Sequence, residues 1–419
     1  MGQSFNILHE TDKMRRAKSA IVGRTSGQSS SSVINSDRSS FSGIRVLWAS
    51  DTEGFPIQAL GRSENSNVPI TSLFTGNGIQ AFSDEIEQQM KNGVAPVQFA
   101  YFTLLDTNFI SELPIFFRGE KNTHTGKVGE TLQFIDSQNG RGFDWTFAAL
   151  ENLREVVKPN NPWPYQKVAA AKLFDSMKNF QKVRSEGLVV SIEDHIPAAE
   201  KMWETFISSP TIWSAIQRRD IMHCIILRAV LDCWSGYGTD GGVSRLIDFC
   251  LDSFGFLPLK EIYFGWKALR GFNQTGPVLS IFDEPALRNP KNNSINRISA
   301  LAWDLFLFRW CETLMTEMKE NRFVVPAVTT LDEGMLAAIQ SCPLKAILIH
   351  DKAGLVEAIF DDERDFGECL HRAVSAETLA RINDPMRRSK KKDISRYNLS
   401  LLIYNLELEV KNFSKKTDL

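Results

Sequence analysis

The sequence predicts an α/β protein, with a parallel sheet carrying helices on both faces and a large all-helical insertion. Three features lead to that reading. The first is Val97–Pro114, VQFAYFTLLDTNFISELP, where every residue from Val97 to Leu105 except Gln98 and Thr103 is apolar or aromatic. A strand buried on both faces keeps both sets of alternating side chains from water, so it reads as a continuous run. The second is a repeated strand-then-helix pattern, in NRFVVPAVTTLDEGMLAAI (321–339) and PLKAILIHDKAGLVEAI (343–359). Strands near 97–106, 322–329 and 344–350 are therefore expected in one mainly parallel sheet. The third is the stretch from Trp163 to about Phe256, helical in pattern throughout, which makes residues from about 160 to 270 a helical insertion.

Length allows two or three domains, or one large domain with an insertion, since the chain has 419 residues. Its 43% hydrophobic and 23% charged content is that of an ordinary globular protein. A formal net charge of −2 excludes bulk attraction to nucleic acid or to an anionic membrane, so any nucleic-acid site must be a local patch. The six cysteines contain no CxxC pair, which fits buried free thiols in a reducing compartment. No apolar leader core opens the sequence and no uncharged run could span a bilayer, so a cytoplasmic protein without a membrane partner is expected.

Taken in order, residues 1–40 are polar and Ser-rich, with Lys13, Arg15, Arg16, Lys18 and Arg24, and read as a mobile, disordered arm. Residues 41–95 read as a hairpin-and-helix extension. IRVLWAS and FPIQALGR flank the turn Asp51–Gly54, and a helix over 79–92 is stopped by Gly93. The α/β domain proper is expected over 96–365. Within it, GFDWTFAALENLREVV is a helix that Asp144 could cap, with Glu151 one to two turns in. IMHCIILRAVLDCW is apolar nearly all round, as a core helix is. Gly236–Gly242 lacks the preceding strand of a dinucleotide site and the Lys-Ser/Thr pair of a P-loop, so it reads as a helix connector. Residues 366–419 are a helical tail. Its basic cluster, Arg387, Arg388 and Lys390–Lys392, lies between Asp384 and Asp393 and reads as a solvated linker.

Three carboxylates stand out, Asp106, Asp304 and Asp332, with Asp351 as an alternative acid. Asp106 follows the buried strand, where α/β sheets present chemistry, although Asp106 and Asn108 could equally form a turn. Asp304 is the only charge between Arg297 and Arg309, and its helical neighbours three and four residues away carry no cation. Such a carboxylate needs a distant arginine or a bound metal. Asp332 follows the second strand, where Thr330 and Glu333 spell a capping box that would make it a helix-start residue only. Asp351 sits at the third junction. Acids without His or Cys partners suit hard cations such as Mg²⁺ or Mn²⁺.

Leu105-Asp106-Thr107-Asn108 resembles the opening motif of PIN-domain nucleases. Val328-Thr-Thr-Leu-Asp332-Glu-Gly-Met335 resembles their late Thr-x-Asp motif, and Asp304 lies on the preceding helix, where that family places its third acid. The resemblance implies a PIN-like parallel-sheet core and a Mg²⁺- or Mn²⁺-dependent endonuclease, usually cutting RNA, of the kind that acts as a toxin or defence effector. It implies that Asp106, Asp304, Asp332 and a helical Glu hold the metal, with Asn108 and Thr330 orienting carboxylates. Glu151 is the favoured Glu, at a family-like distance from Asp106; Glu261, in Glu-Ile-Tyr-Phe-Gly, is the alternative. The chain departs from the family in its long helical block, which could hold substrate, an inhibitor or an activating partner. The competing class is a non-catalytic helical scaffold or sensor on an α/β core, whose acids only cap helices and pair with arginines.

Overall fold

The computed structural model describes residues 2–23, 30–51, 54–56, 68–93, 98–137, 142–156, 158, 160–177, 180, 190–273, 285–291, 293–319, 322–384 and 394–417. The chain runs α1 (Gly2–Val22), α2 (Ser30–Ser36), α3 (Arg38–Phe41), β1 (Arg45–Ser50), β2 (Phe55–Pro56), β3 (Ile70–Ser72), β4 (Gly78–Phe82), α4 (Asp84–Lys91), β5 (Phe99–Leu105), α5 (Thr107–Phe117) and α6 (Thr125–Ser137). There follow β6 (Gly142–Asp144), α7 (Thr146–Val156), α8 (Trp163–Ser176), α9 (Ile196–Ser208), α10 (Pro210–Trp234), α11 (Thr239–Ser253), α12 (Leu259–Phe272), α13 (Pro285–Arg288) and α14 (Ser294–Thr316). The last elements are β7 (Met318–Lys319), β8 (Arg322–Thr329), α15 (Glu333–Ser341), β9 (Leu344–His350), β10 (Leu355–Phe360), α16 (Glu363–Ala373), α17 (Ala376–Asn383) and α18 (Arg396–Thr417).

Two compact units result: residues 1–208 with 309–361, and residues 209–308 with 362–419. The first unit holds both sheets. One has the order β3-β8-β5-β6, with β7 also on β8; β5 is parallel to both β8 and β6. The expected parallel pairing of 97–106 with 322–329 is thus present, from Phe99↔Phe323 to Leu105↔Thr329. β8 is buried from Phe323 onward because it lies inside the sheet, between β3 and β5.

The strand at 344–350 corrects the expectation. It lies in the other sheet, of order β10-β9-β1-β4-β2, where every pairing is antiparallel. The text after it is a strand rather than a helix. Gly354 takes φ +61 at the turn, a left-handed conformation open to glycine, and β10 folds back on β9 as a hairpin. β1 and β2 do not pair as a hairpin either, because β4 lies between them. The supposed arm is helical over Gly2–Val22. Met14, Ala17 and Ile21, spaced on one helix face, pack with Phe41, Val46, Trp48 and Leu348. Three apolar residues among many polar ones were enough to anchor it.

The helical block divides at Ser208 rather than standing as one insertion: α8 and α9 belong to the first unit and α10 to α12 to the second. Among the described residues, every regular element of the second unit is a helix. A Cβ on Gly265 would come within 2.8 Å of Leu246 and 3.1 Å of Ile225, so α10, α11 and α12 meet where only glycine fits. Gly242 is likewise pressed against Leu269. Residues 239–242 form the first turn of α11, rather than the connector expected there. The basic cluster at 387–392 lies outside the described residues.

Candidate active site

The carboxyl ends of three adjacent parallel strands each carry an aspartate. Asp106 follows β5, Asp144 ends β6 opposite Leu104, and Asp332 follows β8 by way of Thr329, Thr330 and Leu331. Asp106 is buried and begins α5 in an extended conformation. Its Oδ2 accepts a 2.8 Å hydrogen bond from the Thr330 hydroxyl, and Thr330 Oγ1 in turn accepts one of 3.0 Å from the Asp332 amide. Burial pushes the Asp106 carboxyl above its ordinary range; the Thr330 hydroxyl and the amides of Thr107 and Asn108 oppose this, and the Asp332 charge adds to it. Burial likewise raises Asp144, which accepts from the Thr146 amide. Among the described residues no Lys, Arg or His forms an ion pair with Asp106, Asp144 or Asp332.

Glu151 reaches the same edge from α7. Its carboxylate accepts from the hydroxyl of Thr107, the residue next to Asp106. Behind it, the buried Lys167 of α8 donates a 3.0 Å bond to Asn152 Oδ1. Burial lowers the Lys167 amine, and the charges of Glu151 and Glu155 partly restore it. Sequence reasoning missed Thr107 and Lys167. The first was legible as the hydroxyl inside Asp-Thr-Asn, and the second as one of the two lysines, with Lys172, that flank the apolar Val168–Ala171 run of α8.

Asp332 has a second role, and the other nominated residues make different contacts. Asp332 is itself the N-cap of α15: its Oδ1 accepts from the amides of Gly334 at 2.7 Å and Met335 at 3.3 Å, while Thr330 turns to Asp106 instead of capping. Asn108 is exposed, and no hydrogen bond from its side chain to an acid occurs among the described residues. Asp304 (α14) and Glu261 (α12) belong to the second unit. The Gly265 that made Glu-Ile-Tyr-Phe-Gly look family-like serves helix packing. Asp351 is exposed and receives a bidentate pair from Arg45, at 2.6 and 2.7 Å, which also donates to the Thr316 carbonyl. It is an anchor for β1, not a member of the site.

Among the described residues, no group of three or more His, Cys, Asp or Glu side chains is placed to hold a metal ion. A four-acid cage is therefore not formed. The arrangement fits the looser mode of Mg²⁺, which keeps several waters and binds through one or two carboxylates plus substrate phosphates. Asp106 and Asp332, joined through Thr330, are the two that would hold it, and Asp332 Oδ2 carries no hydrogen bond among the described residues. No helix among the described residues is long and apolar enough to cross a membrane. The cysteines are free, and burial raises Cys250 and Cys311 far above the thiol range, so these two are packing residues rather than nucleophiles. No family model, curated protein or solved structure matches this chain.

Proposed function

We propose that the first unit is a divalent-cation-dependent phosphodiesterase, an endonuclease whose first candidate substrate is RNA. One observation carries the reading: Asp106 is buried at the end of a parallel strand with hydrogen bonds but, among the described residues, no cation, beside the like charge of Asp332. A fold that buries a carboxylate without a counter-charge is destabilised by it, and functional sites are where such groups persist. A divalent ion bound there would supply the missing positive charge, lower the pKa of a water and stabilise the phosphate in flight. Thr330 fixes the Asp106 carboxylate, and Thr107 fixes Glu151. Glu151 is the residue that would take a proton from the attacking water. Lys167 lies close enough behind Glu151 for the Glu151 charge to raise its amine against the lowering by burial. RNA is favoured by the motif resemblance at Asp106 and Asp332. A net charge of −2 requires that phosphate contacts be local, so binding should fall with salt.

A second reading, a non-catalytic scaffold or sensor, draws on the N-cap role of Asp332, which accounts for that residue without chemistry. The two part in one assay. Wild type, Asp106→Asn and Asp332→Asn are incubated with single-stranded RNA and DNA across a Mg²⁺ and Mn²⁺ series, with an EDTA control. Cleavage by wild type alone supports the nuclease. Equal cleavage by all three, metal-independent cleavage, or none by any, rejects it.

A further inference from the structure

Eight large hydrophobic side chains are exposed among the described residues, and four of them lie on α18: Tyr397 (75%), Leu401 (47%), Tyr404 (60%) and Leu408 (44%). The others, Tyr237, Leu259, Met318 and Leu379, are scattered, as single exposed apolar residues usually are. The α18 set follows a 4-3-4 spacing. At about 100° per residue it forms a seam only about 60° wide along one side of the helix. The opposite side is already used: Leu399, Ile403, Leu406 and Val410 are buried, and α18 packs on α10. No charge interrupts the sequence from Tyr397 to Leu406. A second apolar seam on a helix whose first seam is satisfied marks an interaction surface.

We propose that this seam pairs with the same seam of a second copy of the chain, in an antiparallel, two-fold symmetric helix pair. The order Tyr-Leu-Tyr-Leu with 4-3-4 spacing is complementary to its own reversal. Turned end for end, it sets Tyr397 opposite Leu408 and Leu401 opposite Tyr404, an aromatic against an aliphatic at every level. The two-fold axis makes each contact twice. The same register brings Arg396 of each copy to the Glu407 turn of the other, on the same side of the seam. Arg396 lies 4.0 Å over the Trp213 ring, a face contact, and among the described residues its in-plane N–H donors meet no carboxylate. A parallel pair would instead stack Tyr on Tyr, Leu on Leu and Arg396 on Arg396. Four side chains are a small part of the roughly 800 Å² per partner of a standard interface, so the pair is weak and forms at high concentration.

Sedimentation equilibrium of the full chain up to about 1 mM is expected to show a monomer–dimer equilibrium. Leu401→Asp and Tyr404→Asp should each make the protein monomeric with unchanged helical circular dichroism, since both positions face water in the single chain. Arg396→Glu and Glu407→Arg should each weaken the dimer about tenfold, and the two together should restore it. If a charge variant misfolds, a nitroxide on Lys415→Cys reads the orientation instead: about 40 Å between copies when antiparallel, about 10 Å when parallel. A wild type that stays monomeric overturns the proposal. So does a dimer indifferent to Leu401→Asp, a failure of the double charge swap to restore pairing, a short label distance, or binding to phosphatidylserine vesicles without dimerisation.

Discussion

The second unit and the strand edge of the first bury acids at similar depth and treat them oppositely. In the second unit the fully buried Asp232 is held by Arg228 and, at 2.7 Å, by Arg245. Asp362 receives Lys267 and a 2.6 Å bond from the Tyr263 hydroxyl, and Glu363 receives Lys260 at 3.3 Å. At the edge of β5, β6 and β8, Asp106 and Asp144 have hydroxyl and amide donors and, among the described residues, no cation. Burying a carboxylate is unfavourable in both places. Where the acid serves the fold, the counter-charge is built in. Where it is missing, the site is left able to take one from outside.

The largest expected effect lies on the paired side. Asp232→Ala strands Arg228 and Arg245 and should destabilise the protein by about 3 kcal/mol or more, read by urea denaturation. A loss below about 1 kcal/mol would remove the contrast.

On the other side, Asp106→Asn should leave stability at pH 7 equal to wild type or above it, while cleavage falls by about 100-fold or more. The sign follows from linkage. The folded carboxyl titrates above its ordinary value, so the folded state binds more protons than the unfolded state between 3.8 and the raised value. Stability therefore falls as pH rises through that window, and the asparagine variant lacks this fall. The gap in unfolding free energy between variant and wild type should widen as pH climbs from 4 toward 7. A gap that narrows would mean the carboxylate stabilises the fold.

The same comparison shows what the sequence could carry. Asp106 and Asp351 look alike on the page, each an aspartate just past an apolar strand. What separates them is Arg45, distant in sequence, which meets Asp351 only because β1 pairs with β9. Long-range ion pairing is not written locally, so the sequence alone could not separate the two acids. The β5–β8 pairing was legible because continuous apolar runs report burial on both faces. The β9–β10 hairpin was not, because LVEAIF suits a helix or a strand until Gly354 sets the turn. Asp304 was conspicuous among apolar neighbours, yet such a pattern says nothing of which unit its helix belongs to.

Smaller effects sharpen the account of the edge. Thr330→Val removes the donor to Asp106 and should destabilise by about 1–2 kcal/mol, with weaker metal binding, because the buried carboxylate loses what lowers its pKa. Glu151→Gln, half-buried and bonded to Thr107, should change stability by less than about 1 kcal/mol. It should nevertheless reduce the cleavage rate and shift its pH profile, which a purely structural Glu151 would not.

The central claim is that the uncompensated carboxylates accept a divalent cation. Mn²⁺ binding, followed by the electron paramagnetic resonance signal of the free ion, tests it without reference to any substrate. The account predicts saturable binding of one or two ions by wild type, competed by Mg²⁺ and lost in Asp106→Asn, with Asp351→Asn binding as wild type does. Equal binding by wild type and Asp106→Asn, or no binding by either, would contradict it.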